Sequence, residues 1–401
     1  MHFLKKRGVL VLALWVSGSA VFAQSGVVRD IAFTGLKRTK PLVAERLLDK
    51  FRGLRPDEIN ENDVRAAIIE SGVLDPEVIE FLPHDGDYTL HAVVVEKISF
   101  FPVPIFLAGS NGWMAGIALA DMNAFGQRDT FVLSGIYAGD SWFAMAMYAH
   151  PGVVAEKPGF MLGGTCSAGE FKVNNACGDS LFSMERVYAG ISAGITYQFS
   201  ALWASRLTLG YSQSDVEALR KTDRSVTARP QIGARRSTWD GYLLNESSAS
   251  LEYEAQILPG TVNHRLSAVF NYNKSPVSGF RFTAKGGAVW TPDADIFRET
   301  TPGTVNITIM TNNFRAANMA GLCAGLEKAL FRVNAGTLAV LAAYEVLATQ
   351  SLSDGNSFDH GAFAGIQFYL RRIAIPAVGL GVSRNLVRQT TQWSLSIGMR
   401  F

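Results

Sequence analysis

The chain has 401 residues, with 37 lysines and arginines against 35 aspartates and glutamates and a formal net charge of +2. So even a balance excludes the basic footprint of a nucleic-acid-binding protein, and a hydrophobic content of 48% neither demands nor excludes a membrane. No histidines stand at metal spacing, and no phosphate loop or dinucleotide fingerprint precedes a helix, so neither a metal nor a cofactor is expected.

Residues 1–23 read as an export signal. Lys5, Lys6 and Arg7 form a basic start, Gly8 to Val16 an apolar core, and Val21-Phe22-Ala23 a small-residue cleavage site before Gln24. A retained helical anchor is the alternative. No cysteine follows the cut, which argues against lipoprotein processing. Residues 24–98 have mixed periodicity. "VVRDIAF" reads as a strand and "TGLKRT" as a turn. "PLVAERLLDKF" reads as a helix from Pro41 with Leu42, Leu47, Leu48 and Phe51 on one face. Asn62 to Ser71 reads as a second helix capped by Asn62, and "VIEFLP" and "YTLHAVVVEKI" as strands joined at "HDGD". The order strand, helix, helix, strand, strand describes a small α+β domain with its own core.

From residue 99 to 401 helical periodicity is lost and period-two segments follow one another. "LEYEAQI" sets Leu251, Tyr253, Ala255 and Ile257 against Glu252, Glu254 and Gln256, and "ISAGITYQF" repeats the theme. Alternation alone fits a soluble sandwich as well as a membrane barrel. Beyond the signal, no run of eighteen uncharged apolar residues occurs; the best stretch, Leu338 to Ala348, contains Glu345. An exported chain that spans a membrane without such helices must close into a barrel. The chain also ends in "WSLSIGMRF", with Trp393, Leu395, Ile397, Met399 and Phe401 on one face and Ser394, Ser396, Gly398 and Arg400 on the other. An apolar strand left unpaired at a terminus invites aggregation, so this one is expected to close a barrel, its apolar face in lipid and Arg400 reaching water. Sixteen strands are predicted, beginning near Pro104, Gly112, Asp129, Ser141, Gly159, Met184, Trp203, Ser237, Ser248, His264, Gly279, Gly321, Thr337, Gly361, Ala377 and Gln392. One connection, Thr291 to Asn318, is long.

Three cysteines remain. Cys166 and Cys177 bound "CSAGEFKVNNAC", read as a surface loop, and are expected to pair, with two free thiols as the alternative; Cys323 lies in an apolar strand and is expected to be inert. "CGDSLF" contains a hydrolase-like tetrapeptide, but it falls between barrel strands with no flanking helices, so catalysis is not expected. The basic run Arg220 to Arg236 reads as a solvated surface loop, with contact to anionic lipid as the alternative.

These segments together resemble one family, the outer-membrane assembly factors and bacterial surface antigens related to BamA and TamA. "IAFTGLKRTKPLVAERLL" resembles the opening of a POTRA domain, the small α+β unit of that family. "GWMAGIALADMNAFGQRDTFVLSGIYAG" resembles its early barrel hairpin, with Asp121, Asn123, Ala124, Phe125 and Gly126 on the motif. "WSLSIGMRF" is similar to its closing strand, which serves as the signal for barrel assembly and pairs with the first strand. The resemblance implies an all-β transmembrane barrel of about sixteen antiparallel strands preceded by a single POTRA domain. It further implies that the long loop folds inward and presents an apolar-Arg-Gly-aromatic tetrad. Here that stretch is Phe314, Arg315, Ala316 and Ala317, so two of the four residues depart from the pattern. The family's arginine meets an acidic residue two strands later, which makes Glu345 the expected partner of Arg315; two unrelated charges are the alternative.

The implied function is assembly, insertion or translocation of other outer-membrane proteins. The implied partners are membrane lipid, unfolded client barrels, and accessory periplasmic proteins or lipoproteins. The mechanism expected is lateral opening of the seam between Ile105–Leu107 and Trp393–Phe401, with Pro102, Pro104, Gly109 and Gly112 weakening the first strand, while the edge of the small domain receives a client strand. A passive pore or a surface antigen with a reduced POTRA unit is the rival, favoured by the altered tetrad; an adhesin presenting the basic run is a third reading.

Overall fold

The computed structural model describes residues 26–397, apart from 70, 111, 153–156, 217–220, 241–242, 293, 312 and 371–372. The export signal and the terminal Gly398, Met399, Arg400 and Phe401 lie outside the described residues. The described chain divides into two compact units, residues 26–98 with 125–127, and residues 99–124 with 128–397.

The first unit follows the expected order: β1 (Val28–Thr34), α1 (Pro41–Glu45), α2 (Glu61–Ile69), β2 (Leu74–His84) and β3 (Asp87–Glu96). β3 lies centrally, parallel to β1 and antiparallel to β2. The turn read at "HDGD" brings Asp85 to φ 49° and Gly86 to φ 88°, the left-handed pair that matches the twist of a tight hairpin. Val28, Leu48, Val64, Ile68, Leu74 and Leu90 fill the core at 0% exposure. Two local expectations need correction. The first helix stops at Glu45, short of Phe51, which lies in a separate 3-10 turn, and Leu42 points to solvent. The cap of α2 is Asn60, not Asn62: the Asn60 side chain accepts the Asn62 N–H at 2.9 Å, and its carbonyl accepts the first helical amides. At the end of β3, Glu96 gathers the turn after β1, accepting N–H groups from Lys37 (2.6 Å), Arg38 (2.9 Å) and Thr39 (3.0 Å) and the Thr39 hydroxyl (2.9 Å). Burial alone would raise its pKa, but these donors hold the carboxyl below its ordinary value.

The second unit is a closed barrel of sixteen strands. They are β4 (Phe100–Gly109), β5 (Gly112–Ala124), β6 (Asp129–Ala138), β7 (Ser141–His150), β8 (Gly159–Asn174), β9 (Ser180–Gln198), β10 (Trp203–Val216) and β11 (Lys221–Asp240), followed by β12 (Leu243–Leu258), β13 (Thr261–Val277), β14 (Phe280–Trp290), β15 (Asn318–Val333), β16 (Gly336–Ser351), β17 (Gly355–Leu370), β18 (Ile373–Asn385) and β19 (Thr391–Ile397). Each pairs antiparallel with its neighbour in sequence, and β19 pairs with β4 to close the cylinder.

Its two faces invert the pattern of a soluble protein. Ile191, Tyr211, Leu251 and Phe270 stand outside and exposed, whereas Ser192, Ser212, Gln256 and Glu254 line cavities within. Aromatic side chains crowd both rims: Phe160, Phe199 and Trp203 at the end where β4 enters, and Trp113, Trp142, Trp290 and Trp393 at the far end. An apolar belt between aromatic girdles is the exterior of a membrane-spanning cylinder. Among the described residues no helix is long and apolar enough to cross a membrane.

The basic run expected as a loop is instead part of β11, which begins at Lys221. Val226, Ala228, Pro230 and Ile232 alternate with Ser225, Thr227, Arg229 and Gln231, a period hidden in the sequence by charges at both ends. The expected Cys166–Cys177 disulfide is absent. β8 runs on to Asn174, so Cys166 sits mid-strand, paired with Ala144 and Ala189, while Cys177 is exposed in the loop. Asn174 lies eight residues along the strand from Cys166, about 26 Å at about 3.3 Å each, far beyond disulfide reach. Maleimide applied to intact, unreduced cells is therefore expected to label Cys177 without prior reduction. Labelling that requires reductant would restore the disulfide.

Candidate functional site: an inward loop and a strand seam

The connection from Thr291 to Ala317 folds into the barrel. A 3-10 turn at Pro302–Val305 ends on Asn306 at φ 63°, which redirects the chain. Val305, Ile307, Ile309, Met310, Phe314 and Ala316 pack against Val289, Met319, Cys323 and Leu347 of the wall as one buried cluster. Glycines make the room. A Cβ on Gly321 would stand 2.6 Å from Ile307 Cγ1, and one on Gly361 would meet Ile309 Cγ2 at 3.0 Å. The sequence shows these glycines only as small inward positions; the loop explains why they are small.

Glu345, on β16 and only 2% exposed, holds the loop by its backbone. It accepts the Thr308 N–H at 2.6 Å, the Ile309 N–H at 3.1 Å and the Thr308 hydroxyl at 2.9 Å. The Ser383 hydroxyl adds a donor to the Thr308 carbonyl at 3.0 Å. The expected Arg315–Glu345 pair does not form. Phe314 bridges to Asn174 and Ala316 to Thr300, so this segment is extended and its side chains alternate. Phe314 and Ala316, both 0% exposed, face the buried cluster, and Arg315 faces away. Its guanidinium lies 4.4 Å from the Phe171 ring centre, with Arg186 on the same ring at 5.5 Å, and it donates to the Glu299 carbonyl at 3.1 Å. Ala317 is buried where the family pattern has an aromatic, and its N–H donates to the Gln350 carbonyl at 3.0 Å.

Other polar braces were not foreseen. Arg281 of β14 donates to Glu327 of β15 and to the Tyr369 hydroxyl of β17. Buried Asp359 accepts from Arg388 and from the Asn385 amide, each at 3.0 Å. The partners are 26 or more residues apart in sequence, so spacing carries no trace of them.

The early hairpin forms between β5 and β6. Asp121 accepts the Asn123 N–H at 3.0 Å, and the Asn123 side chain, 0% exposed, accepts the Arg128 N–H at 2.8 Å. Phe125 (φ 56°), Gly126 (φ 71°) and Arg128 (φ 61°) take left-handed backbone, which accounts for a glycine there. Beyond the turn, Asp129 accepts from Tyr148 and lies 2.6 Å from His150 Nδ1. The CGDS serine, Ser180, opens β9 opposite Asn174 as a ladder residue.

The seam joins Phe106–Gly109 to Ser394–Ile397 among the described residues. Trp393 and Ile397 face outward and Ser396, 5% exposed, faces the lumen, as the alternation predicted. Gly109 allows close approach: a Cβ there would lie 2.6 Å from the Trp393 carbonyl. The Ser110 N–H donates across the seam to that carbonyl at 3.2 Å. Before the paired stretch, β4 carries Pro102 and Pro104, which have no N–H to give to a ladder.

No family model matches the chain, and no curated protein matches it. Solved structures do. Over 93% of this chain and 85% of the other, BamA from Haemophilus ducreyi lacking POTRA domains 1–3 superposes with a TM-score of 0.64 at 12% identity. CdiB from Acinetobacter baumannii gives 0.66 at 12% over 94% and 74%, and CdiB from Escherichia coli 0.66 at 14% over 94% and 77%. The chain has the fold of BamA and CdiB: a sixteen-stranded barrel behind a small POTRA-like domain.

Proposed function

We propose that this protein resides in the bacterial outer membrane, its small domain in the periplasm, and helps to insert or translocate other outer-membrane proteins. The observation that carries this reading is the seam. Among the described residues only Phe106–Gly109 and Ser394–Ile397 join the two ends of the wall, and β4 carries Pro102 and Pro104, which have no N–H to give, so few ladder bonds hold the seam. A seam that opens sideways can offer its free backbone groups to a client strand, which satisfies them without exposure to lipid. The small domain can receive an extended client along an edge strand, where main-chain hydrogen bonds give sequence-tolerant affinity. The BamA and CdiB fold supports the same reading.

A passive pore is the second reading, favoured by polar luminal cavities of about 530 and 410 Å³ between the inward loop and the β9–β13 wall. Depletion separates the two. Quantitative proteomics of outer membranes after depletion is expected to register loss of several other barrel proteins or of a secreted client. Loss of a single solute's uptake with an unchanged membrane proteome selects the pore.

A further inference from the structure

We propose that the lumen holds a small oxyanion, a phosphate or a carboxylate group, between the inward loop and the wall at β13. The cavity of about 410 Å³ is lined by Asn263 of β13, by Thr291, Arg298, Thr300 and Arg315 of the loop, and by Arg265. Buried polar atoms collect there. Asn263 Nδ2, Thr291 Oγ1, Thr300 Oγ1 and Arg315 Nε are all shielded from solvent and make no hydrogen bond within the protein. Asn263 and Thr291 are 6% and 4% exposed, so their side chains cannot turn out to bulk water. Buried groups of this kind are nearly always satisfied, because an unmade hydrogen bond costs the full desolvation of the group.

The character of these groups selects the ligand. The amide nitrogen and the guanidinium nitrogen can only donate, and each hydroxyl can donate as well. Two carboxylates share this lining. Glu254 lies 2.9 Å from Arg265 and 3.4 Å from Arg229. Glu299 accepts the Leu352 N–H through Oε1 at 2.6 Å, and its Oε2 is buried without a hydrogen-bond partner, a place for the proton of a protonated oxyanion or for a bridging water. Arg298 pairs with Asp295 at 3.6 Å, so four guanidiniums, those of Arg229, Arg265, Arg298 and Arg315, meet three carboxylates, Glu254, Asp295 and Glu299, which leaves one positive charge in excess. Convergent donors with a surplus cation suit an oxyanion. The loop side of the site is preset: Thr300 and Ala316 exchange two backbone hydrogen bonds, 2.9 and 3.0 Å, which fix Thr300 and Arg315 beside one another. A bound anion would tie this loop pair to Asn263 of the wall, on the opposite side of the loop from Glu345. The inference is independent of whether clients pass through the seam.

The test uses the full mature chain refolded in detergent. Calorimetric titration with inorganic phosphate, and separately with acetate, is run at constant ionic strength set by sodium chloride. Saturable binding of one or both is expected, and the stronger arm tells tetrahedral from planar oxyanion. Thr300→Val, isosteric and on the loop, and Asn263→Leu on the wall should each weaken binding about tenfold or more, as expected for losing one hydrogen bond to a charged group. Arg224→Gln, whose residue does not line the cavity, should leave it unchanged. If wild-type protein that migrates as a folded barrel shows no saturable response to either anion, the proposal is overturned and the cavity holds ordered water only. Undiminished affinity in Thr300→Val overturns it equally, whatever the fate of the wall variant.

Discussion

A disulfide across the seam is expected to abolish function and leave the barrel folded. The pair Leu107→Cys and Ser396→Cys is placed for this purpose, in a background with Cys166, Cys177 and Cys323 replaced. The two residues face each other in the seam register, and both turn into the lumen. The Trp393–Ser110 exchange places hydrogen-bonded pairs at Ala108–Leu395 and Phe106–Ile397, so Leu107–Ser396 is a non-hydrogen-bonded pair. Its Cα separation, about 4.5 Å, falls within disulfide range. The oxidised protein is expected to keep its heat-resistant migration and to lose the activity scored by outer-membrane proteomics, with recovery on reduction. Full activity of the locked form would remove lateral opening from the mechanism and advance the pore.

The second large effect is at Glu345. Glu345→Ala leaves the Thr308 and Ile309 amides without an acceptor in a buried setting and should cost about 3 kcal/mol or more of loop seating. The readout is the temperature at which the folded band is lost, together with protease cleavage within residues 291–317. Arg315→Gln added to Glu345→Gln should restore nothing. A true ion pair would recover part of the loss when its second member is neutralised, because an unpaired buried charge costs more than an absent pair. Recovery in the double variant would return Arg315 to Glu345.

Much of the wall was legible in the sequence. Gly112, Asp129, Ser141, Gly159 and Trp203 begin strands where the period-two pattern placed them, and the long connection lies between β14 and β15 as expected. Alternation writes itself into sequence because each lipid-facing residue is apolar and each luminal one is free to be polar. Where both sets are polar the pattern vanishes, which is why β11 read as a loop. The second half of β8, from Cys166, read as a loop for a related reason: "CSAG" is small on both faces. Contacts inside the lumen were less legible. The sequence places Arg315 and Glu345 in the right elements but cannot tell a carboxylate that meets a guanidinium from one that accepts backbone amides. That choice depends on which way an extended segment turns its odd residues, and it was decided by the bridges at Phe314 and Ala316.

The seat of the inward loop has a consequence for the order in which the molecule is built. Glu345 lies on β16, Gly361 on β17 and Ser383 on β18, all later in the chain than the loop they hold. A chain delivered from its amino end therefore presents the loop before its receptor is complete. Val305, Ile307 and Ile309 have only the Val289 side of their cover until Met319, Cys323 and Leu347 of the following strands are in place. Burial of the loop and closure of the cylinder are then one step, and a protease that finds residues 291–317 accessible is reading an unclosed wall.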